Sequence, residues 1–242
     1  MRQLEWTKAA VLLGLAGYFV FNIATGDLNN YINTRFAWLS YVAVGLFGLL
    51  GIMTIYALLR HHESDMGMLY QDDMTHTRIG LGVVMIVAIP LVIGTLIPSR
   101  PLGAEAVNGN ISLTASTYAG VTVTKDPLER NVLDWLRVFA QEPAPAVFNG
   151  ERADVIGFIY REPDFPPDHF MVARFTVSCC VADAGAIGLP VYAPSGADLA
   201  DGEWVRVTGV FEAGTFRNTK MPILHADTLE VVPEPDHPYL YP

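Results

Sequence analysis

Apolar residues are distributed in two different ways along this chain. In the first hundred residues they form three near-continuous runs, Trp6–Ala24, Phe36–Leu59 and Ile79–Ile97. At about 1.5 Å per helical residue, runs of roughly 19, 24 and 19 residues each suffice to cross a hydrocarbon core about 30 Å thick. No acid falls inside them, and the one base, Lys8, lies close enough to an end to snorkel. Trp6, Trp38, Tyr41 and Tyr56 sit near the boundaries, where interfacial aromatics are expected. The pattern predicts a transmembrane region over residues 1–100 with three spans, at about 6–24, 36–59 and 79–97. No small-x-small cleavage site follows the first run, so it reads as a span and not as a removable signal peptide.

Residues 101–125 lack a helical period and read as a linker. Asp126-Pro127 then looks like a helix start, with Leu128, Val132, Trp135, Leu136 and Phe139 at helical spacing and Pro143 as the stop. After Gly150 the period changes to that of strands, at Ala153–Arg161, Phe170–Val181, Leu189–Tyr192, Glu203–Glu212 and Ile223–Val232. Gly157 inside the first of these points to a bulge or bend. Five short strands with a preceding helix predict a mainly β soluble domain over 126–232, an OB-like small barrel. Residues 233–242, with Pro233, Pro235, Pro238 and Pro242, read as an extended Pro-rich tail.

Charge separates the halves further. Residues 1–100 carry six Lys/Arg and six Asp/Glu, whereas residues 101–242 carry 9 and 19, so the net charge of −10 belongs to the second half. So acidic a domain repels phosphate backbones, which argues against nucleic acid as a partner. Arg2, Lys8, Arg60 and Arg78 flank the spans on one side, and Arg35 and Arg100 on the other. That bias places the N-terminus in the cytoplasm and residues 101–242 outside it, with the lipid bilayer of the cell membrane as the surroundings of the spans. No ionisable residue lies in mid-span, so this chain by itself makes a poor ion or proton transporter.

Gly45, Gly48 and Gly51 recur at spacing three in the second run, and Gly14 and Gly17 occupy the first. Small residues let helices approach closely, either within this chain or against a larger membrane partner. Pro90 in the third run frees the carbonyl of Ile86 and predicts a kink. The segment Arg60–Arg78 holds His61, His62, Asp65, Asp72, Asp73 and His76, at irregular spacing that suits a solvated polar loop better than a metal site.

The only two cysteines are adjacent, Cys179 and Cys180, which excludes a disulfide framework. Thiolates are soft ligands suited to zinc or copper(I), Asp183 would add an oxygen, and His169 or His225 a nitrogen. Neighbours on a strand point to opposite faces, so both thiols meet one ion only if the strand ends or bulges there. The sequence has no Gly-rich phosphate loop, zinc-protease helix or serine elbow, and no base pairs evidently with a thiol, so no enzyme is expected.

Gly157-Phe-Ile-Tyr-Arg161, the run Arg174–Ala184 with its Cys-Cys-x-Ala-Asp centre, and Trp204-Val-Arg-Val-Thr-Gly209 together resemble the YcgQ family of bacterial membrane proteins. The resemblance covers most of the chain, and the Cys-Cys-x-Ala-Asp block is its most specific part. It implies a two-subunit system with a multi-span membrane permease, linked in some bacteria to zinc limitation. It also makes Cys179, Cys180 and Asp183 the candidate functional residues, with zinc as the candidate ion. The leading expectation is an accessory permease subunit, and the rival is a membrane-tethered metal-binding or metal-sensing protein. A thiol oxidoreductase would need a cysteine with a lowered pKa.

Overall fold

The structure, a computed structural model, describes residues 2–60, 81–107, 111–113, 121–142 and 144–242. It divides into two compact units, Met1–Arg100 and Pro101–Pro242. The segment with His61, His62, Asp65, Asp72, Asp73 and His76 lies outside the described residues, as do Arg78, Ile79, Gly80 and Pro143.

The first unit holds helices α1 (Arg2–Thr25), α2 (Trp38–Arg60) and α3 (Leu81–Leu96). Two stretches, Gln3–Thr25 of 23 residues and Thr34–Arg60 of 27, are long and apolar enough to cross a membrane. Where the sequence predicts a third span, the described helix has 16 residues. At about 1.5 Å each it covers roughly 24 Å, less than the hydrocarbon thickness. It runs through Pro90 as one helix.

Inside the unit, α1 lies against both other helices. A Cβ built on Gly51 of α2 would lie 2.8 Å from the Leu13 side chain, and one on Gly14 would lie 3.0 Å from Leu91 of α3. Gly94 of α3 lies under the Tyr18 ring, whose hydroxyl would be 2.6 Å from such a Cβ. Part of the glycine pattern is therefore internal packing. Gly17, Gly45 and Gly48 have nothing within 4 Å of the corresponding position. Around them the unit presents apolar side chains outward, including Leu46, Leu49 and Ile52. Hydroxyls within the helices return to carbonyls one turn back, as Thr54 does to Leu50 at 2.8 Å and Thr95 to Leu91 at 3.0 Å. This satisfies polar groups that hydrocarbon could not.

The second unit begins its regular structure later than the sequence predicts. Pro127–Glu129 is a single 3-10 turn, and helix α4 runs Val132–Gln141. The reason is a capping box one turn on. The Asn131 side chain accepts the Asp134 amide, and the Asp134 carboxylate accepts the Asn131 amide. Six strands follow: β1 (Arg152–Tyr160), β2 (His169–Thr176), β3 (Gly185–Tyr192), β4 (Trp204–Phe216), β5 (Thr219–Val231) and β6 (Tyr239–Leu240). They form one mixed sheet in the order β1-β4-β5-β3-β2-β6, with β1 also pairing with β2. The β3–β5 and β2–β6 ladders are parallel and the others antiparallel.

Strands β4 and β5 make a long hairpin through Arg217 and Asn218, both at positive φ (46° and 60°), the conformation a tight two-residue hairpin turn requires. A bulge follows Thr208, where a Cβ on Gly209 would fall 2.0 Å from the His225 carbonyl oxygen. Only glycine fits there.

Apolar residues pack on both sides of the sheet. One core sets Trp135 and Leu136 of α4 against Phe148, Phe170, Phe211 and Leu224. The other gathers Phe158, Met171, Phe175, Phe216 and Ile223. Residues from the segments read in sequence as linker and tail contribute to this second core: Ile111 is buried in it, as is Tyr239, and Leu102 packs against it. The Tyr239 hydroxyl accepts the Leu102 amide at 2.8 Å. Arg174, buried on β2, donates to the carbonyls of Pro238 (2.8 Å), His237 (2.7 Å) and Ile156 (3.2 Å). Its guanidinium lies 5.1 Å from the Trp204 ring centre. Burial lowers its pKa to about 10, the Glu234 charge opposing the shift. The Pro-rich end is thus strand and anchor, and its β6 register puts Phe175 opposite Tyr239.

Candidate functional site

The sequence predicts a strand running through the cysteines to Val181, but β2 stops at Thr176. Two bonds mark the stop: the Thr176 hydroxyl donates to the Gly185 carbonyl at 3.1 Å, and the Val177 amide donates to the Leu240 carbonyl at 3.0 Å. The chain then bends at Ser178 and Cys179 and closes through a 3-10 turn, Val181–Asp183. Alternation of side chains no longer applies, and the condition under which adjacent thiols can share one face is met.

Asp183 holds this turn. Its Oδ1 accepts the Ser178 amide at 2.9 Å, its Oδ2 accepts the Cys179 amide at 2.8 Å, and its own amide donates to the Cys180 carbonyl at 3.0 Å. The Cys179 thiol is hydrogen-bonded to the same carboxylate, which pushes the thiol pKa up to about 11, with the Cys180 thiol adding to the shift. The same bond is the main cause that lowers the Asp183 pKa; desolvation opposes it, and the backbone amides add to the lowering. At neutral pH Asp183 is a carboxylate and Cys179 a protonated thiol. This is the reverse of an activated nucleophile, whose pKa is depressed by a nearby cation or helix N-terminus.

The two sulfurs are 3.7 Å apart, and both cysteines are free, Cys179 exposed and Cys180 partly so. That separation exceeds the ~2.05 Å of a disulfide. It is close to the bite of one tetrahedral ion: two Zn–S bonds of about 2.3 Å at the tetrahedral angle place the sulfurs about 3.8 Å apart. The donor set therefore fits two positions of a soft-metal shell. It does not complete one. Among the described residues no group of three or more His, Cys, Asp and Glu is placed to hold a metal. Both Asp183 oxygens accept backbone amides, so Asp183 holds the turn that carries the thiols.

The histidines considered as ligands are elsewhere. His169 opens β2, while the thiols lie beyond its other end, a strand length of roughly 25 Å. His169 Nδ1 is 2.7 Å from Asp168, and its ring packs 5.2 Å from that of Tyr192. His225 packs on Tyr192 at 5.0 Å and has Glu212 3.6 Å from its Nε2. The structure thus gathers Cys179, Cys180 and Asp183 in one turn and leaves His169 and His225 in another cluster. Sequence reasoning missed Arg174 and the C-terminal strand, which fix where β2 ends. A lone arginine among apolar strand residues was the available signal.

Residues 7–111 match the DUF1980 N-terminal domain and residues 114–242 the DUF1980 C-terminal domain. The UPF0703 protein YcgQ of Bacillus subtilis is 22% identical, over 97% of this chain and 98% of its own length. A putative two-component membrane permease complex subunit of Streptococcus mutans is 23% identical, over 94% of this chain and 97% of its own.

If Asp183 keeps Cys179 protonated, Asp183→Asn in the full-length protein lowers the thiol pKa toward its ordinary value. Alkylation of Cys179 by iodoacetamide at pH 8, followed by peptide mass spectrometry, is expected to speed up about tenfold, the gain in thiolate outweighing its lower basicity. An unchanged rate contradicts this assignment.

Proposed function

The chain belongs to the DUF1980 family, and on that premise we propose that it is an accessory subunit of a membrane permease, anchored by its helices beside a multi-span partner. The observation that carries this reading is the face of α2 left open at Gly45 and Gly48, with Gly17 open on α1. Gly51 and Gly14, from the same pattern, are used inside the unit. Small residues with nothing against them, on an apolar spanning helix, suit close approach by a further helix. The name of the Streptococcus mutans relative supports such a partnership.

In this reading three helices span the cell membrane, the third from the apolar run Ile79–Ile97. The N-terminus is cytoplasmic and residues 101–242 are extracytoplasmic, following the Lys/Arg bias of the flanking segments. The second unit is read as OB-like. The pairings β1–β2, β2–β3, β3–β5, β5–β4 and β4–β1 run in a cycle with β3 and β5 parallel, which supports that reading. No catalytic step is assigned, since the most exposed thiol is held protonated by a carboxylate.

A second reading rests on the sulfur separation. Two thiols 3.7 Å apart provide half of a tetrahedral shell on an exposed turn. A zinc ion held there would take its remaining ligands from solvent or from a partner, which suits transient binding or sensing better than a permanent structural site.

Leucine at Gly45 or Gly48 is expected to reduce recovery of a co-purifying multi-span protein from native membranes at least about fivefold, because a larger side chain blocks helix approach. The helicity of the variant should be unchanged. Gly51→Leu, which strikes Leu13, should instead disturb the α1–α2 pair itself. Wild-type protein that arrives alone even after crosslinking contradicts the subunit reading. For the second reading, equilibrium dialysis of the full-length protein against zinc is expected to show about one thiol-dependent ion per chain, lost in Cys179→Ser/Cys180→Ser. Equal uptake by both proteins removes it.

A further inference from the structure

Unit one contains a cavity of about 550 Å³ between the ends of α1 and α3. Tyr18, Phe21 and Asn22, at helical spacing on α1, form one wall, and the segment Gly94–Ser99 the other. Asp27 and Tyr31, from the connection between α1 and α2, complete the lining. The volume lies within the ~300–1,000 Å³ of small-molecule sites and far exceeds a bare metal ion.

Several independent features make it electronegative. Asp27 is the one charged residue in the lining, and its Oδ2 accepts the Thr25 hydroxyl at 2.9 Å. Both helices end here without a basic residue in the last turn. The Ile97 amide closes on the Ile93 carbonyl at 2.9 Å, but Pro98 has no N–H to offer the Gly94 carbonyl one position on. The negative ends of two helix dipoles therefore converge beside a carboxylate. Arg35 and Arg100, the nearest bases in sequence, are not among the lining residues. Tyr18, Phe21 and Tyr31 add aromatic surface, which attracts cations through the ring quadrupole. The ends of spanning helices also lie at headgroup depth.

We propose that this cavity binds a small organic ammonium group, with Asp27 as its counter-ion and Tyr18, Phe21 and Tyr31 as its aromatic walls. An ethanolamine lipid headgroup and a free primary amine share that chemistry, and the experiment separates them. Full-length protein in detergent is titrated with ethanolamine hydrochloride while its tyrosine fluorescence is followed. In parallel, protein in nanodiscs of equal phosphatidylethanolamine and phosphatidylglycerol is examined by native mass spectrometry for retained lipid.

Wild-type protein is expected to respond saturably to the amine, to retain the ethanolamine lipid preferentially, or to do both. Asp27→Asn should weaken the effect about tenfold. Lipid retention without an amine response identifies the headgroup as the ligand, and the converse identifies a soluble amine. Neither effect in wild type overturns the proposal, as does an undiminished effect in a folded Asp27→Asn protein. Should that variant lose its helical circular dichroism, Tyr31→Ala decides in its place, with the same weakening expected and an unchanged response overturning the assignment.

Discussion

The second unit depends on what is done with one buried cation. Arg174 sits inside β2 among apolar neighbours, and an uncompensated guanidinium there would be costly. Three carbonyls and the face of Trp204 offset that cost. Two of those carbonyls belong to the C-terminal segment, so satisfying the arginine recruits that segment to the sheet as β6. The parallel pairing that follows runs along the last residues of β2 and gives the Val177 amide its partner, Leu240. β2 ends at Thr176, one residue before that bond. The turn that carries Cys179 and Cys180 begins at Ser178.

That turn is organised by a second compensation. Asp183 accepts the Ser178 and Cys179 amides, and it accepts a hydrogen bond from the Cys179 thiol as well. Backbone need and side-chain placement are met by the same group. The result is two sulfurs held at the spacing a single soft ion would use, on an exposed loop, with one of them protonated until something displaces the proton. A shell only half supplied favours exchange over storage. A half-supplied dithiol turn in one unit and an open glycine face in the other are both consistent with the proposed subunit that works with another protein.

Much of this was legible in the sequence where one physical effect dominated. The spans α1 and α2 were readable because hydrocarbon requires long apolar runs, and β1 and β4 because their alternation matches a half-buried sheet. Cys179, Cys180 and Asp183 stand out as a group because they are close together in one segment, and the family resemblance points to the same three. What could not be read depended on partners far away in the chain. The end of β2 is set by residues 237–240, and proline content there suggested a tail, since prolines usually lie outside a ladder. The hairpin between β4 and β5 turns on Arg217-Asn218 and lacks the usual Asn-Gly signature. Arg217 is braced there by Glu162 and by the Ile111 carbonyl, which local sequence does not announce. Asp126-Pro127 mimics the cap of α4, which Asn131 and Asp134 form further along the chain.

In the proposed function, a membrane-anchored subunit presents the dithiol turn outside the cytoplasm. The chain has only two cysteines, both in that turn, so they report on it without mutation. The direct measurement is labelling of intact cells with a membrane-impermeant maleimide, normalised to the same reaction after detergent lysis. Normalisation cancels the slow chemistry of a protonated thiol. The account predicts equal labelling of Cys179 and Cys180 in intact and lysed cells. Labelling that appears only after lysis would place the turn in the cytoplasm and contradict it.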